Sequence, residues 1–365
     1  MSERDGAVDE PTTDEAPDAP DAPDAPDAPG APAGESAPEE TEAPQRNLFD
    51  RAGDRIDAFH RKIPPLAVAH AVLKKHSEDR CDQLSMLLAY KGFFCLFPLM
   101  LAFVNVLGLI LQDNDELRED LIDSTLSSVP IIGTEIANNA EALGGSVWVL
   151  IGSILVSLWA GFGLLDMIQE ALNTAWQVPM YDRPPYLLRR LKDLPGALIV
   201  GFGAMLTGAS QWILADGTDA WVRNLLGALL PILAGAISYL GLHWLLCARK
   251  VPFTAHLPAM ATVGLGWWGL QTLGLVYVRR ILEQSSDTYG VFVIVFGLLT
   301  WVYLTGALYL YSIELAAVLY ERLWPRSFSG RDLTEVDQRA ITAVVERESR
   351  VRGTEITVDV PRDPA

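Results

Sequence analysis

Three ionisable side chains fall inside long apolar runs: Lys91, Asp166 and Glu314. A charge at the centre of a spanning helix costs ~2.5–3.5 kcal/mol or more, so residues of this kind mark pathways, relays or ion pairs. Two readings stand. In one, Lys91 pairs with Asp166 or Glu314, and the three line a polar cavity open to one side of a membrane. In the other, each reaches the nearby interface alone, with its stem along apolar surface.

The other polar groups in these runs carry less. Asn105, Gln211, Gln271 and His243 suit hydrogen bonds between helices, worth ~0.6–2 kcal/mol each in a bilayer. Gly152, Gly161, Gly163, Gly201, Gly203 and Gly208 suit close helix contacts. Pro98 and Pro231 are expected to kink their helices. A membrane-embedded catalytic centre would need several of Asp166, Glu170, Asn173 and Glu314 within hydrogen-bonding distance of one another.

Signatures of soluble enzymes are missing: no Walker loop, no glycine-rich dinucleotide turn, no H-E-x-x-H. The five histidines (His60, His70, His76, His243, His256) lack the local spacing of a zinc site. The three cysteines, Cys81, Cys95 and Cys247, give neither a disulfide framework nor metal spacing. The chain is therefore expected to be no enzyme, with no metal and no cofactor.

The elements that must position these groups are long helices. Half of the 365 residues are hydrophobic, and the apolar runs over 84–111, 146–167, 194–215, 221–247, 257–278 and 289–320 each exceed the ~20 residues needed to cross hydrocarbon. The fold class expected is all-α: a polytopic bundle of six transmembrane helices. The tightest connection is 216–220, where Asp216, Gly217 and Asp219 suit a turn.

Lys and Arg set the orientation. They cluster before the first run (Arg46, Arg51, Arg55, Arg61, Lys62, Lys74, Lys75, Arg80), between the second and third (Arg183, Arg189, Arg190, Lys192), after the fourth (Arg249, Lys250) and after the sixth. The segment 112–145 has one Arg against eight acidic residues. Both termini are thus expected on the cytoplasmic side, with 112–145 an external loop. Arg223 and Arg279-Arg280 break the pattern, and pairing with Asp219, and with Glu283 and Asp287, would account for them.

Four segments follow. Residues 1–45 are a disordered acidic tail rich in Pro and Ala, with four Asp-Ala-Pro copies from Asp18. Fourteen acids and one Arg in residues 1–44 supply −13 of the net charge of −18, so the acidic balance says little about the folded part, and a nucleic-acid partner is excluded for want of a basic face. Residues 46–80 hold an amphipathic helix over 48–63 (Leu48, Ala52, Ile56, Phe59, Ile63) and a shorter helix over 66–76. Residues 81–322 are the membrane domain, and 323–365 a cytoplasmic tail with helical patterning over 332–348. The N-terminus lacks the features of a cleavable signal peptide.

The residues LSMLLAYKGFFCLFPLM over 84–100, LLDMIQEALNTAWQVP in the second run and GALYLYSIELAAVLY in the sixth together resemble the YihY/BrkB family of bacterial inner-membrane proteins. The resemblance is carried by Leu88, Ala89, Tyr90, Phe97 and Pro98, by Ala171, Leu172, Asn173 and Trp176, and by Glu314 and Leu315, over roughly 67–322. It implies six spans in a bacterial cytoplasmic membrane. Lys91 stands where that family usually has a neutral residue. Members have carried the labels "ribonuclease BN" and "virulence factor"; the residues here give the first no support.

The function expected is transport, or handling of a lipid or small amphiphile in the cytoplasmic leaflet. The alternative is a non-catalytic envelope scaffold that docks a protein partner through its tails or external loop. The expected partners are membrane lipids in the first case and that protein in the second.

Overall fold

Pro64 and Pro65 open the first helix, where their fixed φ and missing N–H groups suit the first turn. The computed structural model describes residues 63–110, 147–213, 219–284, 290–328 and 333–358. The acidic tail, the helix expected over 48–63 apart from Ile63, the external loop and most of the turn at 216–220 lie outside the described residues.

Among the described residues the regular structure is helical: α1 (Pro64–Glu78), α2 (Cys81–Ile110), α3 (Val147–Ala175), α4 (Tyr186–Ile213), α5 (Ala220–Leu246), α6 (Phe253–Gln284), α7 (Gly290–Glu321) and α8 (Glu335–Arg347), with a single 3-10 turn at Met180–Asp182. The helices outrun the apolar runs. α3 continues to Ala175 because Leu165, Leu172 and Ala175 keep a buried face at helical spacing. α4 begins at Tyr186 because Arg189, Arg190 and Lys192 end an apolar run without breaking a helix.

Among the described residues four helices are long and apolar enough to cross a membrane: α2, α3, α5 and α7. α4 and α6 are as long, at 28 and 32 residues, but more polar. Large apolar side chains face outward, Trp148 at 83%, Trp159 at 79% and Met205 at 74% exposure. Water would penalise such a surface, and hydrocarbon would not.

Each long helix packs on the next in chain order, and α7 closes the ring against α2. α3 also touches α5 and α7 across the ring. The core gathers Leu88, Leu165, Leu172, Trp176, Tyr239, Leu246, Leu310 and Ile313. Close approach is set by glycines other than most of those expected. Gly152, Gly201 and Gly208 have open space where a Cβ would stand, whereas a Cβ on Gly264 would meet the Ile232 carbonyl oxygen at 2.6 Å. Of the six expected, Gly203 is the tight one, against Ser238.

α1 folds back onto α7. Arg80 makes the corner into α2 with φ +54, left-handed backbone that a non-glycine residue adopts at a cost of ~1–2 kcal/mol. Gln177 and Arg322 end α3 and α7 in the same region. There Val178 N–H donates to Asn173 O and Leu323 N–H to Val318 O, the six-to-one bond that caps a helix at a left-handed residue. α8 opens with a capping box between Thr334 and Asp337.

Candidate functional site

The ends of α1, α3, α7 and α8 meet at one charged centre. Lys75 is 3% exposed, and its Nζ lies 2.6 Å from Asp79 Oδ2, 2.7 Å from Glu314 Oε2 and 2.7 Å from the Ala175 carbonyl oxygen. The ammonium thus donates to Asp79 and to the Ala175 carbonyl and forms an ion pair with Glu314. Asp79, fully buried at its side chain, also accepts from Gln177 Nε2 at 2.8 and 2.9 Å and from Arg347 Nη1 at 2.6 Å. Cys81 Sγ donates to Glu314 Oε1 at 3.3 Å.

Burial opposes charge on Lys75, but the Glu314 and Asp79 carboxylates outweigh it and hold the ammonium well above the ordinary lysine range. Burial likewise opposes charge on Asp79, and Lys75, Gln177 and Arg347 overcome it, so its pKa is lowered. Lys75 and Asp79 are thus held ionised by their own contacts.

A second cluster fastens α8. Arg326, fully buried, makes a two-pronged pair with Glu78 at 2.7 and 2.8 Å and reaches Asp337 Oδ1 at 3.0 Å. Lys74 Nζ and the Ser327 N–H complete the Asp337 carboxylate at 3.0 and 2.9 Å. Ala71, Val72, Val318, Leu323 and Ala340 pack beneath. The segment 323–365, expected as a cytoplasmic tail, is therefore tied to α1 through Arg326 and Asp337.

A cavity of about 180 Å³ opens beside the first centre. Asp79, Arg80, Gln83, Leu84 and Leu87 line it from the α1–α2 corner, Glu170 and Thr174 from α3, Met180 and Arg183 from the turn after α3, and Arg347 and Glu348 from α8. Arg183 Nη1 donates to Glu170 Oε1 at 2.6 Å and its Nε to the Val178 carbonyl oxygen at 3.2 Å, while Nη2 has no hydrogen-bond partner. The lining thus combines charged groups with the apolar side chains of Leu84, Leu87 and Met180.

Lys91, Asp166 and Glu314 are not brought together. Asp166 pairs with Arg189 at 2.6 Å, on the seam where Gln169 Nε2 also donates to Asp193 Oδ1 at 2.7 Å. Glu314 pairs with Lys75. Lys91 is half-buried alongside Gly163, and no described residue forms an ion pair with it. Of the two readings, the pairing of Lys91 with Asp166 or Glu314 is not formed: Lys75, which hydropathy assigns to a solvated flank, reaches Glu314 because α1 folds back. Asp166, Glu170, Asn173 and Glu314 each keep a separate partner. Arg223 and Asp219 are both exposed and form no ion pair with each other; exposed pairs of that kind stabilise little.

The motif residues divide between packing and surface. Asn173 Oδ1 accepts the Ala248 N–H at 2.9 Å, tying the end of α3 to the α5–α6 connection. Trp176 is fully buried, edge-on to His243 and His256 at 5.5 and 5.9 Å, with the Arg249 guanidinium 5.9 Å above its ring. Tyr90 is 59% exposed and tilted on Phe94. Pro98 lies within α2 and Pro231 within α5. His243 on α5 and His256 on α6 meet with ring centroids 4.1 Å apart, tilted by 55°; His243 bridges helices by ring contact, its ring nitrogens making no hydrogen bond among the described residues. No group of three or more metal-capable side chains occurs among the described residues.

Sequence reading missed Lys75, Asp79, Arg183 and Arg347. Lys75 and Asp79 did carry one signal, opposite charges four residues apart on a helix.

A search of curated proteins returns no match, and neither does a search of solved structures. The family model for virulence factor BrkB matches residues 72–332, which take in Lys75, Asp79, the whole ring of long helices and Arg326, and stop short of α8. The ordered motifs at Tyr90, Asn173 and Glu314 fall within that match, and the chain belongs to the BrkB family.

Proposed function

We propose that this chain is a six-span protein of the bacterial cytoplasmic membrane, both termini inside, that handles a lipid or similar amphiphile at the cytoplasmic end of its helix ring. The observation that carries the reading is the cavity at the α1–α2 corner, charged on one wall and apolar at Leu84 and Leu87. From Leu87 the exposed side chains Tyr90, Phe94 and Phe97 follow at helical spacing along α2, a track that suits an acyl chain leading away from a polar head.

Two features support six spans. α4 and α6, at 28 and 32 residues, reach about 42 and 48 Å at 1.5 Å per residue, and they present Leu198, Phe202, Leu257 and Leu273 outward. The Lys and Arg distribution supports the orientation, and an Asp115→Cys variant labelled only from outside the cell is the matching result. Binding and passage of an amphiphile need no catalytic group, which fits a non-enzymatic role.

The test is a photoreactive residue in place of Leu87, irradiated in native membranes. The expected product is a lipid adduct read by mass. Adducts to protein alone would replace this reading with the scaffold.

A further inference from the structure

We infer that the cavity at the α1–α2 corner holds a phosphate oxyanion, gripped by Arg183 and Arg80. This rests on the amphiphile reading above and names its headgroup.

The argument is an accounting of donors. Arg347 is committed: Nη1 to Asp79 at 2.6 Å, Nε and Nη2 to Glu348 at 3.2 Å. Arg183 is not. Its side chain is 7% exposed and two of its groups are engaged, yet Nη2 is buried with no partner. An unmade buried hydrogen bond on a charged group is costly, so a ligand or water acceptor is expected there. Arg80 is exposed and pairs with no described residue. The corner that presents it requires left-handed backbone, a strain usually kept for a reason.

The carboxylates on the wall do not compete for a cationic ligand. Asp79 is taken by Lys75 and Arg347, Glu170 by Arg183, and Glu348 by Arg347. What remains unmet on the charged wall is therefore donor capacity, and a guest made only of acceptors fits it. Two guanidinium groups match phosphate geometry better than a single point charge would. α2 begins at Cys81 beside the cavity, and the partial positive charge of a helix start adds to the same preference. Leu84, Leu87 and Met180 complete the lining with apolar surface, so the phosphate is expected to carry an apolar chain.

The experiment is native mass spectrometry of the full chain in detergent. The probes are dioleoyl phosphatidylglycerol, dioleoylglycerol, oleate and glycerol 3-phosphate. Phosphatidylglycerol should be retained at least about tenfold better than dioleoylglycerol or oleate. Arg80→Gln, which removes an unpaired exposed group and leaves the fold alone, should cut that retention about tenfold. Arg183→Lys, which keeps the charge and loses the fork, should do the same, and Arg190→Gln, off the cavity, should not. Retention of glycerol 3-phosphate with the same arginine dependence would support the phosphate site with a soluble ligand as its source. Equal retention of phosphatidylglycerol and dioleoylglycerol would overturn the phosphate inference and leave the amphiphile reading standing. Better retention of oleate would replace phosphate by carboxylate. Loss of all lipid binding, with no adducts at position 87, would overturn the amphiphile reading, and the glycerol 3-phosphate arm would then decide the phosphate site alone.

Discussion

Lys75 Nζ and Glu314 Oε2 lie 2.7 Å apart with both side chains sealed from solvent. One belongs to the polar segment ahead of the first apolar run and the other to the last. Their pairing brings the two ends of the membrane domain together, and Asp79 and Arg347 extend it to α8.

Removing one member of a buried pair strands the other, at a cost of about 3–5 kcal/mol. Lys75→Met should therefore lower the thermal stability of the detergent-solubilised protein by that order. Glu314→Gln added to Lys75→Met should recover part of the loss, because the stranded charge is gone. A thermal-melt double-mutant cycle measures the coupling. An additive double variant would mean that the two groups do not interact.

Lys91 gives the opposite expectation. No described residue forms an ion pair with it, so Lys91→Leu should leave stability within ~0.5 kcal/mol of the parent or above it, as for substitutions away from specific contacts. A loss comparable to that of Lys75→Met would restore Lys91 to the charged centre.

His76 stacks on Tyr311 at 3.8 Å and has Nε2 3.1 Å from Asp82. Burial lowers its pKa below the ordinary 6.5, against the pull of Asp82 and Asp79 and with the help of Lys75. The unfolded chain therefore binds the proton more readily. The contribution is complete above pH 6.5 and is lost as pH falls through the lower folded value. Melting temperature should drop between neutral and mildly acid pH, and His76→Phe should flatten that slope.

α8 hangs on Asp337. Asp337→Ala removes its capping box and its contacts with Lys74, Arg326 and Ser327, taking one carboxylate from the buried Arg326. Hydrogen exchange of residues 335–347 should rise well above that of the ring helices. Unchanged protection would show that the apolar contacts of Ala340 and Val336 are sufficient.

Glycine contacts supply a paired test. Gly264→Ala forces a methyl against the Ile232 carbonyl and should cost about 1–3 kcal/mol, as overpacking does. Gly201→Ala enters open space and should be neutral or stabilising by up to ~1 kcal/mol through helix propensity. Melting curves in one detergent compare them directly.

The long helices were legible in the chain because hydrophobicity is a local property: each run over 84–111 to 289–320 announces its own helix. The helix over 66–76 and the patterning over 332–348 were legible too, and became Pro64–Glu78 and Glu335–Arg347. The ordered motifs sufficed for the family. The tertiary structure decided who meets whom. Glu314 stood out as a buried charge, but its partner is Lys75 and not Lys91, because α1 turns back at Arg80 through a backbone conformation that residue type does not announce. Asp166 was met by Arg189 from the next helix, and His243 by His256 across a connection. Arg183 carried no signal as a cavity wall, since its role comes from one unmade hydrogen bond. Periodicity reports which face of an element is apolar; it holds nothing about contacts between distant residues, which exist only once the ring has closed.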